Sequence, residues 1–336
     1  MNSRKGSILI AVLFVMFVLS VTAISFAYRA TVERREASQD AARAKLRATA
    51  QSAVAIALDA LTDNTNDFDH PAEEWHTHAS LASLDYLPEW KADAAGRPAQ
   101  IVSDYQVIDE ESKLNVLYAS SESLVRLGMT ESQIACLFDW MDGDDIARSD
   151  GAEKDYYQRL PQPYRCKNAP LEVLDELLLI RGFDRQSYRG DESSLASDSN
   201  ASHGQAASAG WARLLTCVGD GRINLNTAPE AVLRTLPISE NAVGQIVGYR
   251  RFDSGSGGSL EEHVFRSIQD VQQLQGLSDA ERDVLGQVSA FRSQYFRIFV
   301  KSRQSPTGLA YRLEVLVQAT PSGRLKVLQW IAGAGA

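Results

Sequence analysis

The sequence predicts an α+β fold in which one very long N-terminal helix packs on an antiparallel sheet, with a large helical domain inserted between the strands. Three observations lead to this prediction. No glycine occurs between Gly6 and Gly96 and no proline before Pro71, so nothing breaks a helix that begins in the first apolar run. Leu-rich helical segments fill the middle of the chain. Segments that alternate apolar and polar residues lie near 99–116 and after residue 294.

Composition narrows the classes of function. The 336-residue chain has 44% hydrophobic residues, and its 43 acidic against 34 basic residues give a net charge of −9. This charge argues against a nonspecific phosphate-binding surface and leaves carboxylates available for hard cations. The cysteines Cys136, Cys166 and Cys217 have no CxxC spacing, so neither a zinc ribbon nor a thioredoxin-type pair is indicated. A single disulfide between Cys136 and Cys166 is left open.

The N-terminal apolar run is long enough to cross a membrane. Residues 7–28 carry no formal charge, and at about 1.5 Å per residue such a helix spans the roughly 30 Å hydrocarbon core. Helix-forming residues continue afterwards, which favours one helix of roughly 55 residues with an amphipathic second part. The other interpretation is a secretory signal cut near "VTAISFA" (21–27), followed by a separate surface helix. The apolar stripe expected on the second part comprises Ala50, Val54, Ala57, Leu58 and Leu61.

The basic residues and glycine at 4–6 resemble the class III leader of type IV pilins and of the pseudopilins of type II secretion. The resemblance implies that a prepilin peptidase cuts between Gly6 and Ser7. Residues 1–6 would then be the leader, and the apolar helix 7–28 would remain as the stem on which the fibre assembles.

One position departs from most members of those families, which carry a glutamate as the fifth residue of the mature chain. Here that position is Ala11. A carboxylate buried in lipid is expensive unless it meets a partner, such as the free amine of a neighbouring subunit. The resemblance therefore points to the one minor pseudopilin that lacks this glutamate, the K protein, which is thought to sit at the fibre tip.

An internal repeat is predicted in the middle of the chain. Residues 99–116 indicate a strand, an acidic turn and a second short strand, and a helical region follows. Residues 113–140 align with residues 222–249 without a gap, so each copy would be a short strand followed by two helices. A third related stretch, residues 168–183, repeats the Asn-Ala-Pro helix start.

The second copy, "RINLNTAPEAVLRTLP", looks like the helix-hairpin-helix of DNA-binding competence proteins. Phosphate binding at such a hairpin needs exposed backbone amides and nearby cations. The second hairpin has no glycine, and both copies carry a glutamate there, Glu131 and Glu240. Core packing is therefore the preferred interpretation of the repeat. A membrane-tethered helix-hairpin-helix DNA-binding protein of competence type is kept as the alternative function.

Residues 139–157 hold an unusual density of carboxylates. Their repulsion must be relieved by solvent, ion pairs or a cation, and Ca²⁺ takes six to eight oxygens from flexible loops. Gly143 and Gly151 would supply turns for such a loop. The spacing is not that of an EF-hand, so the residues alone leave a solvated acidic loop and a calcium site both open. The carboxylates are Asp139, Asp142, Asp144, Asp145, Asp150, Glu153 and Asp155.

The same segment is similar to the signature of the K pseudopilins of the general secretion pathway: W-x-D-x-D, then G-A-E before an aromatic pair, then P-x-Y-x-x-x-N-x-P-L. Together with the leader and Ala11, the likeness covers roughly residues 4–183 and 211–300. It implies a calcium site in the helical domain. The ligands that it implies are Asp142, Asp144, Asp150 and Glu153, with Asp139 and Asp145 as further candidates.

Three C-terminal segments alternate apolar and polar residues as half-buried antiparallel strands do: residues 295–303, 310–318 and 324–331. With the strands near 99–116 they would form a sheet against the first helix. This is the pilin-like arrangement, interrupted by helix-hairpin-helix or SAM-like repeats. The expected domains are a leader (1–6), a transmembrane segment (7–28), a pilin-like N-terminal part (29–114), a helical insertion (115–290) with a mobile loop (185–210), and pilin-like C-terminal strands (291–336).

No phosphate loop, G-x-S-x-G or HExxH motif is present, so no enzyme activity is expected. The resemblance implies a K-type minor pseudopilin with a single pass through the bacterial inner membrane and its main domain in the periplasm. Its expected partners are the minor pseudopilins of the I, J and H types, the major pseudopilin, the prepilin peptidase and inner-membrane lipid, with no nucleic acid. A calcium-stabilised periplasmic protein with a cleaved signal is the second alternative.

Overall fold

The structure is a computed structural model that describes residues 4–76, 79–82, 100–190, 210–251, 260–305, 308–320 and 323–335. Its helices are α1 (Arg4–Asp63), α2 (Ser121–Leu127), α3 (Glu131–Met141), α4 (Lys154–Tyr157), α5 (Arg185–Arg189), α6 (Trp211–Leu214), α7 (Glu230–Leu233), α8 (Glu240–Tyr249), α9 (Ile268–Gln272) and α10 (Asp279–Val288). Its strands are β1 (Ala79–Ala82), β2 (Gln100–Asp109), β3 (Leu114–Asn115), β4 (Leu215–Thr216), β5 (Ile223–Asn224), β6 (Ser289–Ala290), β7 (Tyr295–Ser305), β8 (Ala310–Ala319) and β9 (Leu325–Gly335). Short 3₁₀ turns cover Glu110–Ser112, Leu174–Leu179 and Leu260–His263.

Helix α1 runs without a break over 60 residues, which confirms the predicted single helix. Its apolar first part touches no other element, and the large side chains from Leu9 to Tyr28 are exposed. Among the described residues, α1 is the one helix long and apolar enough to cross a membrane by length and composition. An apolar helix surface of this extent is stable in lipid rather than in water, which fits a single-pass anchor.

The second part of α1 packs on the sheet through small side chains. Ala50, Ala53, Val54 and Ala57 are fully buried between the helix and the sheet. Because alanine lets the helix axis approach closely, the strands below it can bury their larger side chains. The predicted stripe is confirmed, with Leu58 half-buried at its margin.

The main sheet has five antiparallel strands in the order β1-β2-β7-β8-β9. Helix α1 covers β2, β7 and β8 on one face. Along β7 the apolar residues Phe296, Ile298 and Val300 alternate with more exposed ones, so the buried set faces the helix. The three predicted C-terminal strands are confirmed as β7, β8 and β9. Together, α1 and this sheet confirm the predicted α+β class.

The helical insertion lies between two neighbouring strands of that sheet. β2 ends at Asp109, β7 begins at Tyr295, and Asp109 pairs with Phe296 in the ladder between them. The insertion has a hydrophobic core of its own, centred on Leu124, Leu137 and Leu233. It is mainly helical and adds two short parallel strand pairs, β3 with β4 and β5 with β6.

The predicted repeat is confirmed element by element. At the offset of the alignment, 222 − 113 = 109 residues, β3, α2 and α3 correspond to β5, α7 and α8. Thr130 caps α3 by accepting a hydrogen bond from Gln133 N at 3.2 Å, and its counterpart Ser239 caps α8 in the same way. Asn115 and Asn224 each accept a backbone hydrogen bond from two residues further on, at 3.0 Å. The two copies therefore share turns and caps as well as apolar spacing.

Buried polar groups join the insertion to the sheet. Glu110 accepts hydrogen bonds from Lys113 Nζ at 2.7 Å, from Arg297 Nε at 2.8 Å and from Thr216 Oγ1 at 2.5 Å. Arg297 belongs to β7 and Thr216 to β4, so one carboxylate ties the sheet to the first repeat. Although burial acts to raise its pKa, the two cations lower the pKa of Glu110 to about 2.

The predicted mobile loop at 185–210 differs from the structure at its start. Residues Arg185–Arg189 form helix α5, because Asp184 caps the first turn by accepting a hydrogen bond from Ser187 N at 2.7 Å. The remainder of that predicted loop, 191–209, lies outside the described residues.

Candidate functional site

The acidic segment follows the last turn of α3. Helix α3 ends with Asp139 and Trp140 on its buried side, and Asp142 is its C-terminal cap. The chain then turns back through 143–152, and Glu153 is the N-terminal cap residue of α4 without a side-chain capping bond. This return brings three carboxylates from the two ends of one loop to the same place.

Asp139, Asp142 and Glu153 form the candidate metal centre of the described residues. One oxygen from each lies within 4.8 Å of the others. Asp139 is 0% exposed and Glu153 is 4% exposed, whereas Asp142 is half-buried. Buried carboxylates at this spacing repel one another unless a cation joins them.

Unpartnered oxygens show that these residues fit a hard cation. Among the described residues, Asp142 Oδ1, both Glu153 Oε atoms and Asn168 Oδ1 are buried without a hydrogen-bond partner. Asn168 contacts the loop that follows Asp142, where its amide nitrogen donates to the Asp145 side chain at 3.0 Å. Burial raises the pKa of Glu153, and the nearby charges of Asp139 and Asp142 raise it further, although contacts with the Cys166 thiol and the Lys154 backbone act to lower it. Such oxygens are the ligands that calcium prefers.

Arg148 is the cation that the structure places at this centre. Its Nη1 lies 2.8 Å from Asp139 Oδ1 and also contacts Asp142 Oδ2. Its backbone nitrogen donates to both oxygens of Asp139, at 3.3 and 3.2 Å. These hydrogen bonds raise the pKa of Arg148, so its guanidinium stays charged.

Gly151 is needed because the loop backbone passes directly over Asp139. A Cβ at Gly151 would lie 2.0 Å from Asp139 Oδ2, whereas a Cβ at Gly143, on the same loop, would meet nothing within 4 Å. We expect Gly151→Ala to destabilise the protein by about 1–3 kcal/mol through overpacking and to displace the Asp139 carboxylate from the candidate centre. Gly143→Ala is the matched control. Thermal melts and calcium titration of both variants check this, and equal behaviour of the two would contradict it.

The other predicted ligands lie outside this group of three. The Asp144 side chain accepts a hydrogen bond from Ile146 N at 2.8 Å, and Asp145 lies 3.9 Å from Lys154 Nζ. Asp150 is exposed and has a left-handed backbone conformation with φ 62°, and its carbonyl oxygen accepts from Ser132 Oγ. Of the six residues predicted from the sequence, Asp142, Glu153 and Asp139 come together. Arg148 was not predicted, because a single arginine in an acidic loop carries no distinct pattern.

Aromatic residues pack in the core next to the candidate metal centre. The ring of Trp140 packs edge-on against Tyr157 at 5.2 Å, and Tyr157 packs against Tyr164 at 5.3 Å. These rings belong to the core of the insertion. The three cysteine thiols are free, so the disulfide left open between Cys136 and Cys166 is not formed.

The second repeat copy does not reproduce the centre. At the same offset, Gly248 and Arg251 stand where the first copy has Asp139 and Asp142. Its hairpin is also unsuited to phosphate, because Glu240 opens α8 there and lies 3.2 Å from Arg234 Nε. The DNA-binding alternative is therefore not favoured.

The residues predicted for N-terminal processing all lie in α1. Gly6 and Ser7 are within its first two turns, and Ala11 follows one turn later in the exposed apolar part.

Comparison with known proteins shows which proteins the chain is similar to. Residues 107–191, which include the candidate centre, match the family model of "Type II secretion system (T2SS), protein K". A 59-residue stretch is 39% identical to the type II secretion system protein K of Pectobacterium carotovorum subsp. carotovorum. Residues 107–191 therefore carry the domain that the type II secretion protein K family model describes. The aligned stretch spans 18% of this chain and 18% of that protein K relative.

A solved structure extends the protein K likeness to the whole fold. One chain of the crystal structure of the GspK-GspI-GspJ complex from the enterotoxigenic Escherichia coli type 2 secretion system superposes with a TM-score of 0.61. The match covers 89% of this chain and 99% of that chain, at 17% sequence identity. At this identity the likeness shows a shared fold, with the same arrangement of long helix, sheet and helical insertion.

Proposed function

We propose that this chain is a minor pseudopilin of the K type, placed at the tip of the periplasmic pseudopilus of a type II secretion system. The observation that carries the proposal is the unbroken helix α1. Its first part is an exposed apolar surface, and its second part is the buried spine of the folded body. A helix that continues from lipid into a sheet is suited to be the stem of a fibre subunit, because it carries the body when it leaves the membrane.

Two further features support the tip position. Ala11 stands where the related subunits carry a glutamate, so no stem carboxylate requires an amine from a neighbouring subunit. The insertion adds a second hydrophobic core to that of the helix and sheet, and we propose that this added domain blocks a further subunit from stacking above it. The structural neighbour is part of a GspK-GspI-GspJ complex. By analogy, subunits of the I and J types are the proposed first partners, followed by the H type and the major pseudopilin.

The insertion is proposed to hold calcium at Asp139, Asp142 and Glu153. Support comes from their clustered oxygens and from the unpartnered buried carboxylate of Glu153. The ion would neutralise the buried carboxylates and join the end of α3 to the start of α4.

The mature N-terminus tests the pseudopilin proposal. We expect mass spectrometry of the full chain, purified from membranes that contain a prepilin peptidase, to show a chain that starts at Ser7. A chain with Gly6→Leu should remain uncut, since a bulky residue replaces the small one before the cleaved bond. A wild-type chain that starts near residue 28 would mean an ordinary export signal and would contradict the fibre stem.

A further inference from the structure

The candidate metal centre already contains a positive charge. Arg148 contacts Asp139 and Asp142 through one guanidinium nitrogen, Nη1. Glu153, the third member of the centre, has no ion pair with Arg148, and neither of its buried oxygens has a hydrogen-bond partner of ordinary geometry among the described residues, although the Cys166 thiol lies close to it. The guanidinium therefore contacts two of the carboxylates with a single positive charge and does not reach the third.

The two cations would compete for the same carboxylates. Calcium takes six to eight oxygens, so it would draw on Asp139 and Asp142 as well as Glu153. Arg148 Nη1 already uses Asp139 Oδ1 and Asp142 Oδ2 as its acceptors, whereas Asp142 Oδ1 and both Glu153 oxygens have no hydrogen-bond partner. A guanidinium and a divalent ion held at the same two buried carboxylates would also repel one another strongly, because charges are poorly screened there.

The structure leaves Arg148 free to move aside. Its side chain is 45% exposed and lies on the outer loop that joins α3 to α4. Its backbone nitrogen holds Asp139 independently of the guanidinium, so the loop keeps its place when the side chain rotates into water. Glu153 and Asp139 are fixed on elements packed into the core.

We propose that Arg148 is a built-in competitor of the metal: its guanidinium fills the centre when calcium is absent and must leave Asp139 and Asp142 when calcium binds. The inference rests on the proposed calcium centre. It assigns to Arg148 the role of setting the affinity, so that the centre responds to the calcium concentration instead of holding the ion permanently.

The first test measures calcium affinity by isothermal titration of the full chain in detergent, stripped of metal and titrated with CaCl₂. We expect Arg148→Gln to lower Kd about tenfold, a change that corresponds to about 1.4 kcal/mol. Arg159→Gln is the matched control, because this substitution removes the same charge from a nearby position. Among these carboxylates Arg159 pairs only with Asp155, at 3.6 Å. The Kd of Arg159→Gln should equal that of the wild type.

The second test reads the position of the guanidinium directly. Phenylglyoxal modification, followed by peptide mass spectrometry, should label Arg148 several-fold faster in CaCl₂ than in EDTA, with Arg159 as the internal reference. An unchanged or weaker affinity of Arg148→Gln, or equal labelling in the two buffers, would overturn the role of Arg148 and leave the calcium centre standing. If neither the wild type nor Arg148→Gln binds calcium, the proposed centre itself is wrong and the inference falls with it.

Discussion

Removal of calcium is expected to lower the melting temperature of the wild-type chain by about 5–10 °C. A ligand held at about 100 times its Kd stabilises the folded state by about 2.7 kcal/mol, and each kcal/mol corresponds to about 2–4 °C in a domain of 150–250 residues. The measurement is a pair of thermal melts of the full chain, in CaCl₂ and in EDTA.

Glu153→Gln should abolish this response while leaving the melt in EDTA unchanged or slightly higher. The reason is that the Glu153 carboxylate is buried without a partner, so in the absence of a cation its charge destabilises the fold. Asp139→Asn should differ, because Asp139 also holds Arg148 and its loss lowers the melt in EDTA as well. Asp155→Asn, an exposed change in the same segment, should keep the full calcium response. A calcium response that survives Glu153→Gln would contradict the assigned ligands.

Glu110→Gln is expected to be among the most destabilising single changes in the protein, at about 3–5 kcal/mol. Glu110 is 1% exposed, and removing its charge leaves Lys113 and Arg297 buried against a neutral amide. Glu314→Gln is the matched control, since Glu314 pairs only with Arg297 among these groups and is 31% exposed. Its cost should stay below about 1 kcal/mol. Urea unfolding at pH 7 measures both, and equal losses would refute the role of the buried pair.

The stability that Glu110→Gln loses relative to the wild type should decrease at low pH. The folded-state pKa of Glu110 is lowered to about 2, below the unfolded value of about 4.3, so its stabilisation is present above pH 4.3 and is lost as the pH falls towards 2. The difference between the wild type and Glu110→Gln should therefore shrink at pH 3. Burial raises the pKa of Asp69, Asp109 and Glu111 to about 7, 6 and 8, which makes the stability of the wild type change with pH in the opposite direction. Because both proteins contain these three groups, the measurement to follow is the difference in unfolding free energy between the wild type and Glu110→Gln.

The fold could be predicted from the sequence where local patterns are sufficient. The absence of helix breakers predicted α1, strict alternation predicted β7, β8 and β9, and a gapless repeat predicted the paired modules around Asn115 and Asn224. The short helix α5 was missed because a Ser-rich, Gly-rich composition outweighed the cap at Asp184.

The site was less predictable because its geometry depends on the path of a loop. Asp139 was ranked below Asp144 and Asp150, yet it lies on the buried side of α3, where neighbours such as Trp140 point into the core. Asp144 and Asp150 lie in the exposed stretch between the two ends of the loop. Spacing in the chain does not show which carboxylates a returning loop brings together, and it does not show that Arg148 turns inward.

The placement of the insertion between β2 and β7 makes it, in topological terms, one enlarged hairpin loop. Its two ends leave from strands that are hydrogen-bonded neighbours, with Asp109 opposite Phe296, so the sheet needs no rearrangement to accept it. The entropy cost of closing a loop grows only slowly with its length, so the size of the inserted domain adds little to the cost of pairing these strands. The same junction is therefore a natural graft point: a two-residue turn in place of the domain would restore a plain β-hairpin with the strand order intact.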